Sequence, residues 1–353
     1  MKKWLSLLFL VILVAGCSAP EEAQENTLTV MTHDSFAISQ DLVTRFEEEN
    51  GVKLVFLKSG DTGTALNRAI LTLNSPEADV FYGVDNTFLS RALNEGMFIP
   101  YASPALENIP DEFKLDETNS VLPVDYGDVC INYDKAYFAE YDLALPQSLD
   151  DLLKPEYGKG DGEHGLLVIE NPALSSPGLA FLLATVAEYG EDGYLDYWTA
   201  LRENGVEVVN DWSTAYYTNF SGSSGKGAQP MVVSYASSPA VEVVYASTPL
   251  TEAPTASLTA KGMCFRQIEF VGILKGTENE VMAQKFVDFM LSKDFQEDMP
   301  LQMFVYPVLP DAALPEEFIK YNQVVEEPGV LEPSLITSHR DEWIQAWTDV
   351  VLK

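Results

Sequence analysis

Positive charge is scarce in this sequence of 353 residues, which holds 21 lysines and arginines against 54 aspartates and glutamates. The net charge of −33 at pH 7 argues against nucleic acid as a partner, because a polyanion is bound mainly through lysine and arginine contacts to its phosphates. A cationic small ligand is compatible with this charge, but acidity also keeps an exported protein soluble. The charge count therefore excludes one class of partner and identifies none.

Histidine and cysteine are also scarce, with three residues of each type. The histidines, His33, His164 and His339, are scattered, so no spacing typical of a metal site occurs. Neither a Gly-x-Ser-x-Gly elbow nor a phosphate-binding Gly-Lys-Ser/Thr loop is present. The run His33-Asp34-Ser35 contains hydrolase residue types, but adjacent side chains on a loop cannot align as nucleophile, base and orienting group. We expect no enzyme, no bound metal and no cofactor.

The only long apolar run lies at the N-terminus, where residues 4–14 follow two lysines and precede Ala-Gly-Cys17. This pattern predicts a signal peptide over residues 1–16, since the run is too short for a stable membrane span. Its end resembles the bacterial lipobox, whose cysteine carries lipid; the alternative is an ordinary signal peptide with an incidental cysteine. We expect a lipidated Cys17, a polar tether to residue 26, and a membrane-anchored extracytoplasmic protein, in a periplasm or on the outer face of the cell membrane.

The remaining cysteines, Cys130 and Cys264, are 134 positions apart. In an oxidising compartment they predict either a disulfide or two separate buried thiols. Each lies at a long strand-like segment, 121–134 or 265–274. If both strands cross between two lobes, they lie side by side and the two cysteines become neighbours.

Strand-like and helix-like segments alternate along the chain, which indicates an α/β protein with parallel strands. Ligands of such folds usually bind beyond the carboxyl ends of the strands, so the loops at 33–35, 59–63 and 83–86 are the first site candidates. We expect two α/β lobes with a cleft between them that closes about a hinge. The expected division is lobe 1 at 27–127 plus 268–353, and lobe 2 at 128–267.

Short segments in order along nearly the whole mature chain carry a resemblance to a known family. They are MTHDSF (31–36), Ser59-Gly60 with LNR (66–68), ADVFYGVDN (78–86), PVDYG (123–127), NYDK (132–135), SSPGL (175–179), DWSTAY (211–216), SYASSPA (234–240) and YPV (306–308). Together they resemble the periplasmic thiamine-binding proteins, the solute receptors of thiamine ABC importers. The resemblance implies the type II two-lobe binding-protein fold with two hinge-crossing strands. It also implies thiamine or its mono- or diphosphate as ligand and an ABC permease with its ATPase as partner, and we expect a monomer.

The resemblance also implies a set of ligand-binding residues. They are Ser59, Gly60, Ser175, Ser176, Trp212, Tyr235, Ala236, Ser237 and Ser238, with His33, Asp34, Tyr216 and Phe304 as further candidates. Trp212 and Tyr235 are expected to be aromatic walls, because aromatic faces stack on flat rings and attract cations. Ser175 and Ser176 stand at a predicted helix start, where free backbone N–H groups suit a hydroxyl or phosphate.

Four positions depart from the family pattern. His33 stands where a tyrosine is usual, Phe304 where a tryptophan is usual, Val241 where another tyrosine can occur, and Ser59 where relatives carry a carboxylate. Further candidates for balancing a cationic ligand, each alternatively a loop cap, are Asp34, Asp85 and Asp125.

Three alternatives compete with this interpretation. Ferric-ion receptors share the fold class and often use a histidine in the first loop with paired tyrosines, which His33, Tyr216 and Tyr217 would match. A polyamine or another small solute is a further alternative ligand. An adhesin or structural lipoprotein would not need an aromatic cleft of ligand size.

Overall fold

The computed structural model describes residues 26–160, 162, 164–224 and 226–353. The expected signal peptide, Cys17 and the tether up to residue 25 lie outside these residues. None of the helices that the structure describes has the length and apolarity needed to cross a membrane.

The described residues form eleven strands and ten α-helices that alternate along most of the chain. The strands are β1 (Thr27–Thr32), β2 (Lys53–Lys58), β3 (Val80–Asp85), β4 (Phe98–Ile99), β5 (Leu122–Asp134), β6 (Leu167–Glu170), β7 (Glu207–Val209), β8 (Met231–Tyr235), β9 (Thr255–Leu258), β10 (Phe265–Leu274) and β11 (Tyr306–Pro307). The helices are α1 (Gln40–Asn50), α2 (Thr62–Leu71), α3 (Leu89–Asn94), α4 (Lys135–Glu140), α5 (Ser176–Glu203), α6 (Ser238–Val244), α7 (Glu280–Met290), α8 (Lys293–Gln302), α9 (Glu316–Tyr321) and α10 (Pro333–Val351).

The sheet runs in the order β2-β1-β3-β10-β5-β8-β6-β7, with the short strands β4, β9 and β11 beside β10 or β5. At its two ends the pairs β1–β2, β1–β3, β6–β7 and β6–β8 are parallel, as the alternating pattern predicts. In the middle, β5 and β10 run antiparallel to each other. The sheet is therefore mixed, because its central pair is antiparallel while the pairs at its two ends are parallel. The two long central strands connect the two parallel halves.

The prediction of a two-lobe α/β fold with two crossing strands is confirmed. Residues 122–129 of β5 pair with β10, while residues 129–133 pair with β8 in the other half of the sheet. Cys130 on β5 is bonded to Cys264, the residue before β10, with Cα atoms 4.3 Å apart. The disulfide joins the interior of β5 to the start of β10.

The C-terminal helix α10 packs on both halves of the molecule. Trp347 packs edge-on against Trp198 of α5, with ring centroids 5.6 Å apart. Arg340 lies over the ring of Phe88, next to α3, at 4.6 Å. Trp343 and Trp347 lie four positions apart, on one face of α10, and both are buried.

Candidate functional site

A narrow cavity of about 80 Å³ lies where the ends of β1 and β8 and the middle of β10 meet the starts of α2, α5 and α6. Two groups of side chains dominate its lining. We call Trp212, Tyr217, Tyr235 and Phe304 the aromatic wall, and His33, Asp61 and Glu269 the acidic wall. The described lining residues include no lysine or arginine.

Trp212 is held in place by contacts on several sides. Its indole Nε1 donates a hydrogen bond to Ser234 Oγ at 2.9 Å. Its ring stacks on the buried Tyr216, with centroids 5.0 Å apart and an interplanar angle of 16°. Tyr217 meets the same indole edge-on at 5.4 Å. Because aromatic packing fixes the indole before any ligand arrives, it presents a preformed surface for a flat ring.

Tyr235 and Ser238 extend the lining at the end of β8. The hydroxyl of Tyr235 accepts a hydrogen bond from Gln267 Nε2 at 3.0 Å. Ser238, the first residue of α6, lies 2.8 Å from Ser234 through their two hydroxyl oxygens. Ser234 thus connects Ser238 with Trp212, which makes this part of the lining one hydrogen-bonded unit.

Phe304 reaches the cavity from the turn between α8 and β11. Its φ of 57° lies in the left-handed region, which a bulky side chain adopts only at a cost of about 1–3 kcal/mol. Ser237 Oγ donates to the Phe304 carbonyl, and the Tyr245 ring packs edge-on against Phe304 at 5.6 Å. These contacts hold the strained turn that brings the phenyl ring to the cavity.

Asp61 joins the two walls. It caps α2, and its Oδ1 accepts a hydrogen bond from the Thr62 backbone N–H at 2.8 Å. Its Oδ2 accepts one from the Trp212 backbone N–H at 3.1 Å. Burial raises the pKa of Asp61 to about 6, although the hydrogen bonds from Ser175, Thr62 and Trp212 oppose that rise.

Glu269 lies in a row of carboxyls across three neighbouring strands. The register places it opposite Asp125 of β5 on one side and Asp85 of β3 on the other. Tyr82 donates its hydroxyl to Asp125 Oδ2 at 2.7 Å and lies 3.1 Å from Glu269 Oε2. Burial raises the pKa of Asp125 to about 7 and that of Glu269 well above its usual range. This part of the site therefore retains protons near neutrality.

His33 follows β1 and packs beside this row. Its Nε2 lies 3.6 Å from Glu269 Oε1, beyond hydrogen-bond distance, and has no partner among the described residues. Burial and the nearby Lys58 lower the pKa of His33 to about 4, so the imidazole is neutral at neutral pH. Gly83 allows this close approach, since a Cβ there would lie 2.5 Å from His33 Cδ2. Among the described residues, the lining of the cavity therefore has no positive side chain to balance its carboxyls.

Direct contacts across the cleft hold it nearly closed. The Gly63 backbone N–H donates to the Leu174 carbonyl at 2.9 Å. Ser176, the first residue of α5, donates its hydroxyl to Asp85 Oδ2. The start of α2 thereby lies against the loop that precedes α5.

The structure brings six of the proposed site residues into the cavity lining: His33, Ser176, Trp212, Tyr235, Ser238 and Phe304. Behind the lining, in buried positions, lie Ser175, Tyr216, Ala236 and Ser237. Val241 also lines the cavity, as a smaller aliphatic side chain where the family can have a ring.

Three proposed site residues lie outside the lining: Ser59, Gly60 and Asp34. Ser59 donates its hydroxyl to the Leu57 carbonyl, and the Gly60 N–H donates to Asp34 Oδ1 at 2.8 Å. They build the turn after β2, and the chain reaches the cavity two residues later at Asp61 and Thr62. Asp61 therefore brings a carboxyl group from this loop to the cavity.

Sequence reasoning also missed Glu269 and Tyr217. Glu269 had a recognisable signal, because it is a charged residue between Ile268 and Phe270 in an apolar strand. Tyr217 was assigned only to the ferric alternative, yet it lines the cavity while Tyr216 is fully buried.

The sequence of this chain is similar to that of a known protein family over most of its length. A family model described as "Bacterial extracellular solute-binding protein" matches residues 75–324. The Thiamine-binding periplasmic protein of Escherichia coli (strain K12) is 30% identical, covering 99% of both chains. The protein of the same name from Brucella suis is 28% identical over 97% of each chain.

Solved structures show the same fold. One described as "Periplasmic thiamin binding protein" superposes with a TM-score of 0.79 at 26% identity, covering 95% of this chain and 99% of its own. Iron-bound HitA from Pseudomonas aeruginosa superposes with a TM-score of 0.72 at 20% identity, covering 92% and 99%, which shows the fold alone. A two-lobe sheet, a cleft between the lobes, and similarity over the full chain lead to one conclusion: this chain belongs to the bacterial extracellular solute-binding proteins.

Proposed function

We propose that this chain is an extracytoplasmic receptor that binds thiamine and delivers it to the permease of an ABC importer. The observation that carries the proposal is the pairing of an aromatic wall with an acidic wall in one cavity whose described lining has no lysine or arginine. Thiamine combines a flat aminopyrimidine with a permanently cationic thiazolium, so it needs ring faces and negative charge together. Similarity to proteins named for thiamine binding over 99% of the chain supports the same ligand.

We assign a role in thiamine binding to several side chains that line the cavity. Trp212 and Tyr235 stack on the ligand rings and attract the thiazolium, with each contact worth about 0.5–2 kcal/mol. Ser176 and Ser238 hydrogen-bond the hydroxyethyl arm. The backbone N–H groups at the start of α5 are the place where a phosphate on that arm would be received.

The proposal includes the setting of the receptor. A lipid on Cys17, left after removal of residues 1–16, holds the monomer on the outer surface of a membrane. The chain divides into lobe 1, residues 27–127 plus 268–353, and lobe 2, residues 128–267. The lobes close on the ligand, and the closed form docks on the permease and its ATPase.

Titration calorimetry of the mature chain tests the proposal, with thiamine, thiamine monophosphate, thiamine diphosphate and spermidine as separate ligands. We expect one molecule of thiamine to bind per chain and spermidine to give no binding heat. Binding of spermidine with no heat from any form of thiamine would contradict the assignment.

The ferric alternative is weakened by the environment of its tyrosines. Tyr216 is fully buried under Trp212, so it is not placed to meet a metal ion in the cavity. Burial raises the pKa of both Tyr216 and Tyr217, which opposes the tyrosinate form that ferric iron requires. Mixing the protein with ferric citrate should give no tyrosinate charge-transfer band; a visible band would favour iron.

A further inference from the structure

Three buried carboxyls form a continuous row beneath the cavity. Asp85, Glu269 and Asp125 lie opposite one another on β3, β10 and β5, and they are 0%, 4% and 0% exposed. Only Glu269 of this row reaches the cavity lining. Carboxylates directly opposite on neighbouring strands repel, so the row needs protons or a cation nearby.

The groups that face Glu269 supply little positive charge. From β3 they are the Tyr82 hydroxyl and Asp85, from β5 Asp125, from β8 the Tyr235 hydroxyl, and after β1 the neutral His33. Arg340 of α10 interacts electrostatically with Asp85, and Lys58 of β2 does so with His33.

The Tyr82 hydroxyl has one proton for two carboxyls, at 2.7 Å from Asp125 and 3.1 Å from Glu269. A proton held between Asp125 and Glu269 completes the arrangement, and the raised pKa values of both groups agree with it.

An independent feature of this end of the cavity favours a ligand there. His33 is 7% exposed, lines the cavity, and has an Nε2 without a hydrogen-bond partner among the described residues. That nitrogen lies 3.6 Å from Glu269 Oε1, too far for a hydrogen bond. A buried polar atom left in this way normally meets a ligand or an ordered water.

We infer that Glu269 is the ligand-contacting carboxylate that takes the positive charge, and that Asp125 is a positioning residue that shares a proton with it until the ligand expels that proton. The inference rests on the proposed function; it assigns a ligand contact to Glu269 and couples ligand binding to the release of a proton. On binding, one carboxyl O–H bond of the pair breaks, the proton passes to the solvent buffer, and the thiazolium charge takes its place. No electron is transferred.

Proton release has a defined consequence for affinity. If one proton leaves per cation bound, affinity rises by up to about tenfold for each unit of pH, until the pair of the ligand-free protein is already ionised. A neutral thiamine analogue, with carbon in place of the thiazolium nitrogen, should bind without releasing the proton.

Calorimetric titration in two buffers of different ionisation enthalpy counts the protons directly, between about pH 6 and pH 8. We expect the wild-type protein to release a proton on binding thiamine. Glu269→Gln should bind thiamine about tenfold more weakly, with no proton release and no rise of affinity with pH. Asp125→Asn removes a carboxyl that raises the pKa of Glu269 but leaves Glu269 buried opposite Asp85, so the variant should still bind thiamine and its proton release should move to lower pH.

Two control variants locate the source of the proton. Glu170→Gln removes a buried carboxyl outside the row and should release the same number of protons as the wild type. Asp61→Asn should also still release the proton. The inference is overturned if wild-type binding releases no proton, if Glu269→Gln keeps the pH dependence, or if the release disappears only in Asp61→Asn; thiamine binding then still supports the proposed function. Failure of the wild type to bind any form of thiamine would instead overturn the proposed function, and the inference with it.

Discussion

The two walls of the cavity are assembled in different ways. Most of the aromatic wall comes from two short stretches, 212–217 and 234–238, and its rings are fixed by contacts within those stretches. The acidic wall takes His33, Asp61 and Glu269 from three distant parts of the chain. The ring surface is therefore largely a local property of the sequence, whereas the negative charge exists as a site only after the sheet has formed.

The two walls also differ in how stable they are without a ligand. Stacked and hydrogen-bonded rings stabilise the aromatic wall without a ligand, at about 0.5–1.5 kcal/mol for each pair. The raised pKa values of Asp61 and Glu269 make the acidic wall less favourable as the pH rises. One wall is preformed, and the other becomes favourable when a proton or a cation is present.

The largest expected effect comes from removing the disulfide that joins the two crossing strands. The double change Cys130→Ala and Cys264→Ala should lower the free energy of unfolding by about 4 kcal/mol, since the bridge closes a long loop of the unfolded chain. Denaturant titration with and without reductant measures the loss. The wild type should weaken in reductant and the variant should not; equal stability of the two oxidised proteins would refute the prediction.

Loss of the indole tests the aromatic wall alone. Trp212→Ala should weaken thiamine binding by about tenfold or more, because stacking and cation–π contacts are removed together. Trp212→Phe keeps a ring but loses the bond to Ser234, so it should retain most of the affinity. Calorimetry compares the three proteins. An unchanged affinity in the alanine variant would mean that the ligand binds elsewhere.

Cleft closure can be separated from both walls at Gly63. A Cβ added there would lie 2.8 Å from the carbonyl oxygens of Ala173 and Leu174 across the cleft. Gly63→Ala should make closing of the cleft less favourable by about 1 kcal/mol, because the added methyl group clashes only when the lobes are closed. Thiamine affinity should therefore fall about fivefold. The unfolding midpoint should stay or rise slightly, because alanine favours helix α2.

A matched control for Gly63 lies within α5. Gly193→Ala adds the same methyl group to a helix, with Tyr189 Cβ at 3.3 Å as the nearest atom. It should leave thiamine affinity unchanged. Equal affinities of the Gly63 and Gly193 variants would show that closure does not depend on this contact.

A further expected effect concerns how the stability of the ligand-free protein depends on pH. Folding raises the pKa of Asp61 from 3.8 to about 6 and that of Asp125 from 3.8 to about 7. Their contribution is complete below about pH 4 and is lost as the pH rises through these values. His33, lowered from 6.5 to about 4, acts in the opposite direction, because its stabilising contribution is lost as the pH falls through that window.

Asp125→Asn separates these opposing contributions. The variant lacks the Asp125 carboxyl, so it should not lose the stability that the wild type loses when Asp125 ionises. Its melting temperature should therefore fall less between about pH 5 and pH 8 than that of the wild type. Thermal melts across this range provide the test. Identical slopes for the two proteins would show that Asp125 does not titrate in this window.

The sequence was sufficient for features that depend on local pattern. Alternating strands and helices predicted an α/β fold, the two long strands predicted the crossing pair, and the Trp-Ser-x-Ala-Tyr run at 212–216 marked the segment that contains Trp212. It was not sufficient at the loop after β2. There a turn shifts the cavity contact by two positions, from Ser59 to Asp61, and residue type alone does not show where a turn ends.

What the sequence determined by itself is the kind of protein: two α/β lobes, an acidic chain poorly suited to nucleic acid, and short motifs that hold aromatic rings. What only the tertiary structure decided is which carboxyls share an environment. Asp85, Asp125 and Glu269 are separated by up to 184 positions, yet strand register sets them side by side. Burial and mutual repulsion then change their pKa values, and these depend on distances that exist only in the folded chain.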